Sequence, residues 1–109
     1  MEQLTMVEKE GANYILLELT GTVTTYTTQE LQEKVFSYVL RKNLVLDLSE
    51  VTSIDSVGVG IIMGGYNDAL DNKHKLYVMN PSGAVHEALE DTGFLDTFFI
   101  IHSVTEVIE

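Results

Sequence analysis

Val45-Leu46-Asp47-Leu48-Ser49-Glu50-Val51-Thr52-Ser53-Ile54-Asp55-Ser56-Val57-Gly58-Val59-Gly60 passes from one kind of structure to another within a single short run. It starts inside Leu44-Val45-Leu46-Asp47-Leu48, nearly continuous in apolar residues. Such a run suits a central strand covered on both faces. Residues 49–54 read as a short link, and Asp55-Ser56 then precede a helix running to about Leu70. Ser56 stands where coil becomes helix, a place that favours serine because its hydroxyl accepts from a free helix amide. The same place suits a phosphate, since amides and helix dipole both favour negative charge. Asp55 reads as a turn and capping residue.

The flanks extend this strand-to-helix unit. Upstream, 4–10 and 14–20 read as two strands, the second with Ile15, Leu17 and Leu19 alternating with Leu16, Glu18 and Thr20. Gly11-Ala12-Asn13 supplies a hairpin turn, and Gly21 is expected to break the second strand. Thr27-x-x-Glu30 is a capping-box pattern opening a helix with a stripe of Leu31, Val35, Phe36, Val39 and Leu40. Downstream, Leu76-Tyr77-Val78-Met79 reads as a strand, and Asn80-Pro81-Ser82-Gly83 as a turn in which Ser82 caps the next helix. That helix carries Val85, Ala88 and Leu89 and stops at Gly93. A fifth strand covers 97–101, and Ser103-x-x-Glu106 is expected to cap a last short helix. The order is β-β-α-β-α-β-α-β-α: one α/β domain over 1–109, with a mixed, mostly parallel sheet of about five strands and about four helices.

Composition narrows the function. The chain has 109 residues, 45% hydrophobic and 21% charged, enough for one packed core without disulfides or metals. It has no cysteine, so it offers no thiol nucleophile, disulfide or cysteine zinc site. Net charge is −11, from 17 acidic against 6 basic residues, a field that repels nucleic acid and anionic membranes. The basic residues form no useful patch, Arg41-Lys42 and Lys73-His74-Lys75 being the only local groups. The first residues, Met1-Glu2-Gln3-Leu4-Thr5, lack the basic start and apolar core of an export signal. The uncharged stretch 56–66 is too short to span a bilayer. The expectation is a soluble, cytoplasmic protein with no membrane insertion.

Catalytic readings find little support. His74, His86 and His102 have no metal-ligand spacing, and no serine–histidine–acid arrangement is visible, so no metal, cofactor or catalytic residue is assigned. Gly58-x-Gly60-x-x-x-Gly64 invites comparison with a dinucleotide loop, but Met63 occupies the place of the third glycine. Four glycines in one helix, Gly58, Gly60, Gly64 and Gly65, each cost about 1 kcal/mol relative to alanine. On a helical wheel Val59, Ile62, Met63, Tyr66 and Leu70 share a face, taken as the core face. Gly58, Ile61 and Gly65 then form a smooth outer stripe on which a partner's backbone docks.

With these residues quoted, the chain resembles the anti-sigma factor antagonists of the STAS domain family. Their Asp-Ser-x-Gly-(Leu/Val)-Gly motif corresponds to Asp55-Ser56-Val57-Gly58-Val59-Gly60, after the family-like Leu46-Asp47-Leu48-Ser49-Glu50-Val51. The resemblance runs from Leu19-Thr20-Gly21 to Gly93-Phe94-Leu95. It implies a non-enzymatic protein whose unphosphorylated form binds an anti-sigma factor that is also a serine kinase, releasing a sigma factor. Phosphorylation of Ser56 reverses this, and a serine phosphatase restores it. Partner contacts are expected from Asp55, Ser56, Val57, Gly58, Gly60, Ile61, Gly65 and Thr24. Thr24 stands where the family commonly has an acidic residue, and Val57 where it has a small one, narrowing access to Ser56. Those departures suggest the alternative: a STAS-like interaction module of a transporter-associated or stress-signalling complex, not regulated by phosphorylation. Oligomeric state is not legible in these residues.

Overall fold

Two ladders of alternating apolar residues set the frame of the computed structural model, which describes residues 3–107. Met1 and Glu2, part of the expected absence of an export signal, and the last two residues of the 1–109 domain lie outside the described residues. Strand β1 (Leu4–Glu10) pairs antiparallel with β2 (Tyr14–Val23) across the Gly11-Ala12-Asn13 turn, closed by Gly11 N–H donating to Tyr14 O at 2.9 Å. Strands β3 (Asn43–Ile54), β4 (Leu76–Met79) and β5 (Phe99–Ile101) then add in parallel, in the spatial order β1-β2-β3-β4-β5. The mixed five-stranded sheet is the one expected.

Two strands run further than the sequence reading had them. Gly21 does not end β2: its φ of +115° absorbs a shift in register, and the strand continues to Val23. Residues 49–54 are no loop either. They pair with the far half of β2, from Thr20↔Glu50 to Val23↔Ile54, because that extension offers them ladder partners and buries Val51.

Helices α1 (Gln29–Tyr38), α2 (Ser56–Asp71) and α3 (Gly83–Asp91) all cover one face of the sheet. Leu17, Leu46 and Val78 meet Leu31, Val35, Ile62, Val85 and Leu89 there. On the other face Leu16, Val45, Tyr77, Met79 and Ile101 form a second cluster, closed by Val104 and Val107. β3 is therefore covered on both sides as expected, with Val45 and Leu46 both at 0% exposure. A fourth helix does not form. Ser103 and Glu106 make their capping box, but the turn Val104–Glu106 is a single 3₁₀ turn, after which Val107 extends into the second cluster.

Two local expectations are corrected. Thr27 does not cap α1: Thr28 is the N-cap residue and makes no side-chain cap bond, while Thr27 Oγ1 donates to Thr22 O at 2.8 Å and accepts from Thr24 N at 3.0 Å. Leu40 lies beyond the end of α1 and is exposed.

The larger correction concerns α2. Its buried residues are Gly58, Ile61, Ile62, Gly65 and Ala69, whereas Val59, Met63 and Tyr66 are half-buried and Leu70 is exposed. The supposed outer stripe faces inward. A Cβ at Gly58 would stand 2.8 Å from Val23 O and 2.7 Å from Ile54 Cγ1; one at Gly65 would stand 2.6 Å from Val35 Cγ1. Close approach of the helix to sheet and α1 excludes side chains there, so these glycines serve internal packing.

Candidate functional site

The end of β3 delivers Asp55 to the mouth of α2, and Asp55 organises everything around it. Its N–H donates to Val23 O at 3.1 Å, holding the chain against the end of β2. Carboxylate Oδ1 accepts from Val57 N at 3.0 Å and Gly58 N at 3.1 Å, which makes Asp55 the N-cap of α2. Oδ2 accepts from Thr25 N at 2.8 Å and Thr25 Oγ1 at 3.1 Å, tying in the loop between β2 and α1. Burial pushes the Asp55 carboxyl up, but the bonds from Thr25, Gly58 and Val57 outweigh it and hold the group below its ordinary value of 3.8.

Ser56 is not the cap. It is the first residue of α2, exposed, and its hydroxyl makes no hydrogen bond among the described residues. Other serines are committed. Ser82 Oγ donates to Val51 O at 2.6 Å and accepts from Val85 N, the capping role expected of it, and Ser49 Oγ donates to Asp47 at 2.8 Å. Ser56 thus stands exposed at a helix N-terminus whose cap is its neighbour Asp55.

A shallow groove of about 420 Å³ runs from this hydroxyl between α2 and α3. Val59, Gly60 and Met63 line one wall and Ala88 and Asp91 the other. Gly60 has open space where a Cβ would stand, so it is the glycine that smooths the surface. Met63 also lines an adjoining apolar depression of about 300 Å³ with Tyr66, Phe98 and Phe94, the last half exposed. Across the motif, the loop tethered by Thr25 presents Tyr26 at 85% exposure.

Asp55, Ser56, Val57 and Gly60 therefore share one exposed tip. Gly58, Ile61 and Gly65 lie in the core below it and offer no docking surface, and Thr24 is buried, its Oγ1 accepting from Tyr26 N. Sequence reasoning missed Thr25, Tyr26 and Met63. A run of threonines carries no signal for a contact with Asp55 made thirty residues away. Among the described residues no three His, Asp or Glu side chains come together in a way that could hold a metal, and no helix is long and apolar enough to cross a membrane.

The STAS domain family model matches residues 3–107. The chain belongs to that family. The anti-sigma-B factor antagonist of Listeria monocytogenes is 25% identical over 92 residues, covering 83% of this chain and 81% of that protein. Among solved structures, an anti-sigma factor antagonist from Mycobacterium paratuberculosis superposes with a TM-score of 0.80 at 22% identity, covering 94% and 89% of the two chains. The antagonist SpoIIAA in its unphosphorylated form gives 0.78 at 15% identity, covering 94% and 91%, and SpoIIAA in its phosphorylated form 0.75 at 14%, covering 94% and 95%. At these identities the structures establish a shared STAS fold.

Proposed function

We infer that this STAS domain is an anti-sigma factor antagonist: a non-enzymatic binding protein whose unphosphorylated form engages an anti-sigma factor acting as a serine kinase and is released by phosphorylation of Ser56. A free, exposed hydroxyl on the first residue of α2, at the head of a groove, carries this reading. The names of the relatives support it, as does the existence of phosphorylated SpoIIAA.

Physical chemistry supplies the switch. Phosphorylation adds about −1.5 to −2 charges. The helix dipole at the start of α2 favours that charge within the domain. No hydrogen bond is lost, because the hydroxyl had none, so the fold need not change. At a partner surface packed over Ser56 the phosphate is instead desolvated beside the Asp55 carboxylate. An unpaired buried charge costs about 3–5 kcal/mol, which corresponds to a loss of affinity of roughly a hundred- to a thousandfold or more. A serine phosphatase would restore binding.

The test is capture from the source cell on the native chain and on Ser56→Asp, followed by incubation with ATP and the captured kinase. An ATPase-type kinase held by the native chain alone, and one added phosphate that is lost in Ser56→Ala, is the expected result. Capture that Ser56→Asp leaves unchanged would refute the switch. Val57, 39% exposed beside Ser56, favours a second reading, an interaction module never phosphorylated. In that case the native chain gains no phosphate and retains a non-kinase partner.

A further inference from the structure

At the far end of α2, about 24 Å from Ser56 for a helix of 16 residues, the two basic groups that are separate in sequence come together. Arg41 and Lys42 follow α1, Lys73, His74 and Lys75 follow α2, and all five line one half-open pocket of about 420 Å³. Four of the chain's 6 Lys and Arg are thus gathered in one place, and none of its 17 Asp and Glu lines the pocket. In a chain of net charge −11 this is a strong local reversal of sign.

Helix C-termini attract cations, and the ordinary explanation is that these residues neutralise the ends of α1 and α2. The hydrogen bonds assign that task to His74 alone, while Lys42 is engaged by β1 and the turn after it. His74 Nδ1 bonds Val39 O at 2.7 Å, and Lys42 Nζ donates to Glu10 at 2.7 Å and to Gly11 O at 3.0 Å. Arg41, Lys73 and Lys75 form no ion pair among the described residues. Arg41 and Lys75 lie against the rings of Tyr38 and Phe99, and Lys73 is held out by a left-handed backbone at φ 62°. Around one concavity these cations raise the local potential, which the nearby Glu8 and Glu10 carboxylates reduce on the Arg41 side, while more distant carboxylates are screened beyond about 8 Å at physiological salt.

We propose that this basic pocket is a binding site for a small, multiply charged phosphate group, distinct from the Ser56 tip and independent of the function inferred for that tip. Arg41 supplies a planar donor fork and Lys73 and Lys75 supply ammonium donors, the set that takes up phosphate oxygens.

Pyrophosphate titrated into the intact chain, followed by amide NMR, tests the site. Saturable shifts confined to residues around 41–43 and 72–75 are expected, weakening as salt is raised. Lys73→Asn keeps a residue that tolerates the left-handed backbone and removes the charge. It should lower affinity about twentyfold, the factor for one cation about 6 Å from a divalent anion at an effective dielectric of about 60. Arg41→Gln should act similarly, and Lys9→Gln, whose lysine pairs with Glu18 on another part of the sheet, should not. Sedimentation with phosphatidate-containing but not pure phosphatidylcholine vesicles, reversed by pyrophosphate, would assign the phosphate to a lipid headgroup. Pyrophosphate binding without sedimentation would assign it to a soluble compound. Absence of saturable shifts, or equal affinity in Lys73→Asn and Arg41→Gln, overturns the proposal.

Discussion

Three alanine substitutions in α2 separate its inward from its outward glycines. A Cβ at Gly58 meets the backbone carbonyl of Val23 at 2.8 Å and Ile54 Cγ1 at 2.7 Å, and backbone cannot move aside cheaply. Overpacking of this kind costs about 3 kcal/mol, against about 1 kcal/mol returned by the better helix propensity of alanine, leaving a net loss of about 2 kcal/mol. At Gly65 the obstructing atoms are side chains of Val35 and Leu76, at 2.6 and 2.9 Å, which yield in part. The net loss there is nearer 1 kcal/mol by the same balance. Gly60 has nothing within 4 Å, so alanine should stabilise the fold by about 1 kcal/mol. Urea unfolding followed by far-ultraviolet circular dichroism reads these differences. With a slope of about 1.5 kcal/mol per molar, the midpoint falls by about 1.3 M in Gly58→Ala and rises by about 0.7 M in Gly60→Ala. If Gly58→Ala unfolds at or above the native midpoint, or Gly60→Ala below it, the assignment of faces is wrong.

Asp55→Ala removes the α2 cap and the Thr25 tether together, and should cost about 2–4 kcal/mol at neutral pH by urea unfolding. Because the folded carboxyl titrates below its ordinary 3.8, the stability it supplies is present above that value and lost as pH falls through the lower folded one. The native–variant difference should therefore shrink when unfolding is repeated at progressively more acid pH, and a constant difference would contradict the tether. Thr25→Val keeps the Thr25 N–H bond and loses the hydroxyl one, a cost of about 1 kcal/mol that NMR titration should register as a rise in the Asp55 pKa. On β1, the Tyr38 hydroxyl donates to Glu8 Oε1 at 2.6 Å and is the largest cause holding Glu8 below its ordinary value, ahead of Lys34. Tyr38→Phe should let Glu8 titrate higher while changing stability by less than about 1 kcal/mol, since the pair is exposed.

The elements easiest to read were those whose signal is local and doubled. β3 announced itself by an apolar run without alternation, and Val45 and Leu46 are indeed sealed on opposite faces. The beginning of α2 was marked by Asp55-Ser56: Asp55 takes the capping role expected of it, while Ser56, also read as a cap, is left free. Where a signal was local but unsupported, it misled. Thr27-x-x-Glu30 had the spacing of a capping box, yet the Thr27 hydroxyl found a closer partner in Thr22 O. Ser103-x-x-Glu106 did form its box, and the helix still stopped after one turn as Val107 joined the second cluster.

Order of elements as far as β5, the mostly parallel sheet and the serine motif at a helix start followed from the chain alone, because hydrophobic period and capping chemistry act over a few residues. Which side of α2 meets the core was decided only in three dimensions. Two stripes of that helix have the same period, and distance to Val23, Ile54 and Val35 selects the glycine one for burial. The tether from Thr25 to Asp55 and the union of Arg41-Lys42 with Lys73-His74-Lys75 likewise exist only after folding. Each joins residues some thirty positions apart, where no local pattern reaches and only the crossing of strands and helices brings them together.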